Sequence, residues 1–449
     1  MHSNLVHFLV SLLYNLGVMI TYSIILIILL LLVISMFSEL FLYGLISTLL
    51  FILLLPFYYL VRVFNGKFLY GWREKLGFFK NPHLGNKVIM YHGVSVGEVI
   101  ALENLIKKTK YIFPDYKIVV TTSTKTGHEI ALKKFSETVD FITYFPFDIP
   151  FCVNSFLCKV KPTVVLIAET ELWPVFSFFC KARNIYLYTI NGRMSDSTYK
   201  LYKLFSHFFK MVLSKYTKIL TQSEIDRNKL ISIGAPAQKT VVMKNLKFDV
   251  KKSNEKIDIG QEGYRVIIAG STHKGEDEII LNIFKSKLGK YKDIKLLLAP
   301  RHISRLAQIL PLLNGLNFGC RSKGDNFKNY DVIILDTIGE LGKMYSICSF
   351  AFIGGSFNKT GGHNPLEATV YSKPAITGPS IHNFRDIYWL LSRSKAGKIV
   401  KTPKELDDYI ELLLSDKKFY EKACQDCNTI FQDQQGALDV VINELKNII

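Results

Sequence analysis

From residue 87 onward the chain alternates two patterns. Short apolar, β-branched runs at 87–91, 117–121, 164–167, 185–189 and 218–220 show no polar alternation and predict buried strands. Between them, 98–110, 125–135, 174–184, 197–213 and 223–232 predict helices. Strands joined by helices of this length need crossover connections, which give a largely parallel sheet. A polar, charged stretch at 249–262 breaks the pattern and predicts a linker. Strand-like runs then resume at 264–269, 294–299, 332–335 and 350–353, and the chain ends in helical segments within 403–447. The expected fold class is α/β: two doubly wound, Rossmann-like domains with a cleft between them. Ligands of such sheets bind beyond the carboxyl ends of the strands.

The first 61 residues follow another rule. They contain no Lys or Arg and a single acid, Glu39. Two stretches, about 17–38 and 40–61, are each close to the ~20 residues that cross the bilayer hydrocarbon. Neither has the charged start and short core of a cleavable signal peptide. Arg62, Lys67, Arg73, Lys75 and Lys80 follow at once, which places the remaining chain on the cytoplasmic side. The expected organisation is therefore an anchor of one or two helices over 1–64, a first domain over 65–250 and a second over 258–449.

Composition sharpens the choice of partner. Lys and Arg number 56 against 38 Asp and Glu, a surplus of 18 positive charges that favours an anionic partner. No zinc-finger spacing, aromatic RNA-binding motif or basic tail supports nucleic acid, so an anionic membrane surface or lipid is the better reading. Seven scattered Cys do not make a disulfide scaffold. Cys424 and Cys427 form a lone C-x-x-C on a helical stretch. No spacing such as H-E-x-x-H calls for a metal, and no G-x-S-x-G elbow supports a Ser nucleophile.

Four segments fall at strand ends. In His92-Gly-Val-Ser-Val-Gly-Glu98, Ser95 and Glu98 have the spacing of a capping box; the other reading makes Glu98 a general base. In Ala168-Glu-Thr-Glu-Leu-Trp-Pro174, Glu169 and Glu171 are either solvated loop acids or two close carboxylates whose pKa values separate. Trp173 and Pro174 begin the next helix. Lys247, in Asn245-Leu-Lys-Phe-Asp249, is either a solvated cation or a contact to an anion. The glycine-rich run Gly354 to Glu367 follows a strand. It predicts Asn364 as helix N-cap and Pro365 at the first helical position, with backbone N–H groups at 361–364 turned out to cradle a phosphate. Plain structural loop is the alternative there, and Glu367 has either a capping job or ribose hydroxyls to bind. Arg301, directly after an apolar strand, suits a bidentate contact to phosphate or carboxylate.

Taken together, these segments resemble the Kdo transferases, which attach 3-deoxy-D-manno-oct-2-ulosonic acid (Kdo) to lipid A precursors. The resemblance runs from about residue 55 to the end. It is carried by YHGVSVGE (91–98), AETELWP (168–174), NGRMS (191–195), NLKFD (245–249), GSTHKGE (270–276), APRH (299–302), DTIGEL (336–341), FIGGSF (352–357) and GGHNPLE (361–367). It implies the two-domain GT-B glycosyltransferase fold behind an N-terminal transmembrane anchor at the inner membrane. It also implies CMP-Kdo as donor substrate, without a further cofactor, and a tetraacyldisaccharide 1,4′-bisphosphate lipid A precursor as acceptor. By the same resemblance Glu98 matches the catalytic base, and Glu169 and Lys247 the transition-state stabilisers. Pro300, Arg301, Ile338, Gly339, Glu340, Asn364, Pro365, Leu366 and Glu367 match the nucleotide-sugar contacts. The apolar stretch before residue 40 is extra to the family pattern.

Overall fold

The structure is a computed structural model that describes residues 42–49, 53, 70–250 and 252–449. These residues form two compact units, one ending at Met243 and the other beginning at Lys244. The two stretches predicted as membrane spans lie outside the described residues except for 42–49 and Leu53. Among the described residues no helix is long and apolar enough to cross a membrane.

Each unit is built on a seven-stranded sheet whose neighbouring strands all run parallel. In the first unit the strands are β1 (Val88–Gly93), β2 (Lys117–Thr122), β3 (Phe141–Tyr144), β4 (Val164–Ala168), β5 (Tyr186–Gly192), β6 (Lys218–Thr221) and β7 (Thr240–Val242), in the order β3-β2-β1-β4-β5-β6-β7. The order reverses direction between β1 and β4, the switch point at which such sheets open a crevice. Every residue of β1 and β4 is buried, which explains their unbroken apolar runs. The face carrying Val88, Met90, Val165, Ile167 and Leu187 forms one core with Phe156, Phe176 and Tyr216.

In the second unit β8 (Arg265–Thr272), β9 (Ile294–Pro300), β10 (Phe318–Cys320), β11 (Val332–Ile334), β12 (Phe350–Ile353), β13 (Ala375–Thr377) and β14 (Gly397–Ile399) follow the order β10-β11-β9-β8-β12-β13-β14. Two cores, one on each face of the sheet, hold its apolar side chains.

Caps fix the helix starts. Ser95, Thr124, Ser195, Ser223, Thr402 and Asp416 each accept a backbone N–H of the helix they precede. The predicted helix at 98–110 is two, Val96–Ala101 and Glu103–Ile112, and 197–213 also divides, into Asp196–Leu204 and Ser206–Leu213. The segment 245–249 packs with the second unit. Asp249 accepts the N–H groups of Gly436 (2.8 Å) and Leu438 (2.6 Å) at the start of the last helix, Ala437–Lys446. Cys424 and Cys427 lie on the helix Lys417–Gln434 as free thiols.

Candidate active site

In the first unit the chemistry gathers at the carboxyl ends of β1 and β4. Glu98 sits at the third position of the helix Val96–Ala101, and the capping box predicted from its spacing with Ser95 is formed. Its carboxylate does more than close that box. One oxygen accepts from Val94 N–H at 2.8 Å, the other from Ser95 N–H at 3.2 Å, and the side chain is buried. Burial pushes its carboxyl above the usual range, and the nearby charge of Glu169 pushes the same way. The hydrogen bonds from Ser95 and Val94 oppose both.

Glu169 follows β4 directly, with φ +59, a left-handed conformation that costs a non-glycine residue about 1–2 kcal/mol. Its N–H is held by Ile190 O at 2.9 Å, so the bend is fixed by the sheet. Asn191 in β5 and Ser271 in β8 bend in the same strained way, with φ of +55 each. Glu171 is the clearest case of separated pKa values. Burial, then the charges of Glu98 and Glu169, raise its carboxyl to about 7. At neutral pH it therefore exchanges a proton beside two other acids. Pro174 takes the first position of the helix Pro174–Ala182 with Trp173 as its N-cap residue, as its sequence suggests.

One neighbour was not legible from spacing. His92, the fifth residue of β1, is fully buried, and burial drives its imidazole down to about 3. Its Nδ1 meets Thr121, and its ring lies 4.0 Å from that of Phe145. It is neutral at physiological pH and packs against the rings of Phe145 and Trp173.

In the second unit the carboxyl ends of β8, β9 and β12 converge. Arg301 follows β9, and its charge acts on both Glu367 and His363, so the APRH and GGHNPLE segments share one locality. Burial raises the Glu367 carboxyl, opposed by a hydrogen bond to Asn364 and by Arg301. His363 meets His273 Nε2 to Nε2 at 3.0 Å, with the rings 14° from parallel; burial first, then Arg301, lowers His363 to about 4. Gly355 is required here, because a Cβ would stand 2.9 Å from the His363 ring.

The predicted phosphate cradle is corrected in part. The N–H groups of Gly362 and His363 turn inward to Gly355 O (2.8 Å) and Gly354 O (3.1 Å). A glycine loop this tight satisfies its own donors instead of presenting them. The helix also starts one residue later than predicted, at Leu366. Pro365 is its N-cap residue, and Asn364 Oδ1 accepts Leu366 N–H at 3.1 Å. Ile338, Gly339 and Glu340 form a separate turn, with Ile338 90% exposed and Gly339 at φ +87. Glu340 is held below the usual range by Thr337, then by Arg321 and Lys343. Pro300 ends β9 opposite Thr272. Lys247 lies on a short turn, Leu246–Phe248, whose start is held by Asn245 Oδ1 accepting Lys247 N–H at 3.0 Å.

Sequence reasoning also passed over Glu276. It is 1% exposed, and its carboxylate accepts the N–H groups of His273, Gly355, Ser356 and Phe357 at 2.7–2.8 Å. That one side chain ties the loop after β8 to the loop after β12. Its place in GSTHKGE was the only available signal.

Comparison with known proteins supplies what geometry does not. Residues 70–250 match the family described as 3-deoxy-D-manno-octulosonic-acid transferase (kdotransferase). Over 388 residues the chain is 34% identical to the 3-deoxy-D-manno-octulosonic acid transferase of Haemophilus influenzae, covering 83% of this chain and 90% of that one. The enzyme of the same name from Rickettsia bellii is 32% identical over 356 residues, covering 76% and 83%. The solved UDP-GlcNAc 2-epimerase from Neisseria meningitidis bound to UDP-GlcNAc shares the fold alone, with a TM-score of 0.50 at 14% identity over 80% of this chain and 99% of that one. Two parallel-sheet units in a GT-B-like plan, with a carboxylate cluster at the switch point of the first, belong to a chain that is a member of the 3-deoxy-D-manno-octulosonic acid transferase family, and so to a glycosyltransferase.

Proposed function

We propose that this Kdo transferase takes CMP-Kdo as donor and the lipid A precursor, a tetraacyldisaccharide 1,4′-bisphosphate, as acceptor, with the first unit receiving the acceptor and the second the donor. The observation that carries the reading is Glu98: a buried carboxylate of raised pKa, fixed by two backbone N–H groups beside two further acids. A general base works best with its pKa near the operating pH and its geometry set beforehand.

In this reading Glu98 removes the proton of an acceptor hydroxyl as that oxygen attacks the anomeric carbon of Kdo. The new C–O bond forms as the bond to the CMP phosphate breaks, so the anomeric centre inverts. CMP leaves as a phosphate monoester, whose developing charge needs fixed positive groups more than a proton. Arg301 and Lys247 take that role, while Glu169 steadies the charge that builds on the sugar. Asn364, Pro365, Leu366, Glu367, Pro300 and the turn Ile338–Gly339–Glu340 hold the nucleotide sugar. An anionic bisphosphate acceptor with acyl chains also accounts for a basic, membrane-tethered protein. We place it at the inner membrane with both units on the cytoplasmic side.

The test is transfer to a radiolabelled lipid A precursor with CMP-Kdo or UDP-sugars as donor. Product from CMP-Kdo is expected. Product from a UDP-sugar alone would replace the donor, and none from either, with lipid binding intact, would favour a non-catalytic lipid-binding role.

Two further outcomes follow from the site. Lys247→Ala should lower kcat by about 10²-fold, the loss typical of one fixed transition-state donor. Its melting should be unchanged, because among the described residues that side chain makes no hydrogen bond or ion pair; an unaltered rate would remove it from the mechanism. Glu169→Gln removes a charge that raises the Glu98 carboxyl. A base acts only when ionised, so activity is lost as pH falls through the Glu98 pKa. The acid limb of the pH–rate profile of this variant should therefore move to lower pH, and an unmoved limb would show that the two carboxylates do not interact.

A further inference from the structure

We infer that His273 and His363, set Nε2 to Nε2 in the locality of Arg301, hold the phosphate of the donor nucleotide and take up a proton as the doubly charged phosphate of CMP binds. This rests on the donor role proposed above for the second unit and adds to it a residue pair and a proton.

The backbone at this end of the sheet has little to offer a phosphate. The N–H groups of Gly362 and His363 go to Gly355 O and Gly354 O, and those of Gly355, Ser356 and Phe357 go to the Glu276 carboxylate. Arg305 is spent too, on Asp277 and on Thr272 O at 3.1 Å. Arg301 is exposed, and among the described residues its side chain makes no ion pair. A phosphate here must be met by side chains.

The two histidines can supply charge beside that guanidinium. Their Nε2 atoms are 3.0 Å apart and their ring centroids 5.2 Å, nearly the longest separation such a contact between ring atoms allows. With the planes 14° apart, the nitrogens therefore face each other along one line and the rings are close to coplanar. One hydrogen fits on that line, so one Nε2 donates and the other accepts. An added proton goes to Nδ1 of the donating ring. The inner bond then becomes charge-assisted and stronger, and both outer Nδ1 atoms become donors. A second added proton would set two N–H groups against each other, so the pair takes only the first.

The charged neighbours give the direction. His363 faces Arg301, His273 and His302; His273 faces His302, Arg305, Arg301 and Glu276. Burial is the largest cause lowering both imidazoles, and the cations add to it. Glu276 opposes them at His273, but its carboxylate already accepts four N–H groups. A phosphate placed among these groups reverses the balance and favours the charged pair. The reaction gains from this. When the bond to the sugar breaks, its electron pair stays on the phosphate oxygen, and a singly charged diester becomes a doubly charged monoester. The proton, taken from solvent, offsets that added charge without going to the leaving oxygen.

Calorimetric titration of the full chain with CMP, in two buffers of unlike ionisation heat, counts the protons exchanged on binding. The comparison is the double variant His273→Gln/His363→Gln, whose two amides keep the Nε2 contact, carry no charge and leave the backbone N–H of residue 273 on Glu276. At a pH of about 6.5 the parent should take up about half a proton more per CMP than the double variant. Uptake on binding makes acid favour the complex, so the parent's affinity should rise relative to the variant's as pH falls from about 8 to about 6. Equal proton counts, with CMP bound by both, would overturn this inference alone. The parent also decides by itself: fixed cations alone would select the dianion and release protons, so net release would overturn the inference as well. A parent that did not bind CMP would overturn the donor reading beneath it.

Discussion

Glu98→Gln is expected to lower turnover by about 10²–10⁴-fold while the protein remains folded. The geometry makes this variant informative because Glu98 has two jobs at once. Both of its oxygens already accept backbone N–H groups, from Val94 and Ser95. Glutamine keeps one acceptor and sets an amide N–H₂ against the other donor. That mismatch costs about 1–3 kcal/mol, partly offset because no charge is then buried. Against a stability of about 5–15 kcal/mol, such a loss leaves nearly every molecule folded. Melting should therefore drop by only a few degrees while the rate falls by orders of magnitude, since an amide cannot take the acceptor's proton. Initial rates set beside thermal unfolding of the same preparation decide it. If rate and folded fraction fell together, Glu98 would be a cap and nothing more.

The capping box itself was legible from four residues of sequence, because Ser and Glu three apart at a helix start have the spacing that lets each cap the other's backbone N–H. The central strands were legible for a similar reason: β1, β4, β8 and β9 are covered on both faces, and each carries a run of buried apolar residues. The short strands at and next to the sheet's edges were not. β10, β13 and β14 are three residues each and include Gly319, Cys320, Thr377 and Gly397, too short and too mixed to set a period. The break between helices at Gly436 (φ +101) likewise carries no hydropathy signal. The site shows the same division. Ser95–Glu98 and Trp173–Pro174 are local arrangements, and the chain announces them. The His273–His363 contact joins residues 90 apart, and nothing in either segment predicts the other.

Glu276→Ala should be the most destabilising single change in the second unit. Four backbone N–H groups, from His273, Gly355, Ser356 and Phe357, point at one buried carboxylate. Charge-assisted bonds of this kind are roughly twice as strong as neutral ones, and alanine leaves all four donors without a partner. Each buried donor so stranded costs about 1–3 kcal/mol, with incomplete additivity as the loops relax. A loss of at least about 3 kcal/mol is expected, a fall in Tm of about 6–12 °C for a unit of this size. Glu276→Gln retains one acceptor oxygen and should fall between alanine and the parent. The functional effect follows from what the carboxylate joins. The loops after β8 and β12 present His273 and His363, and the segment Asn364–Glu367 continues from the second of them, so slackening the tie disorders the proposed donor site without touching the base in the first unit. The expected signature is a raised KM for CMP-Kdo and weaker binding of CMP, with the acid limb of the pH–rate profile unmoved because Glu98 is unchanged. Thermal unfolding and CMP titration of the two variants test this directly. An alanine variant that melted like the parent would mean those four N–H groups find other partners, and the carboxylate would then not be what organises the glycine loop.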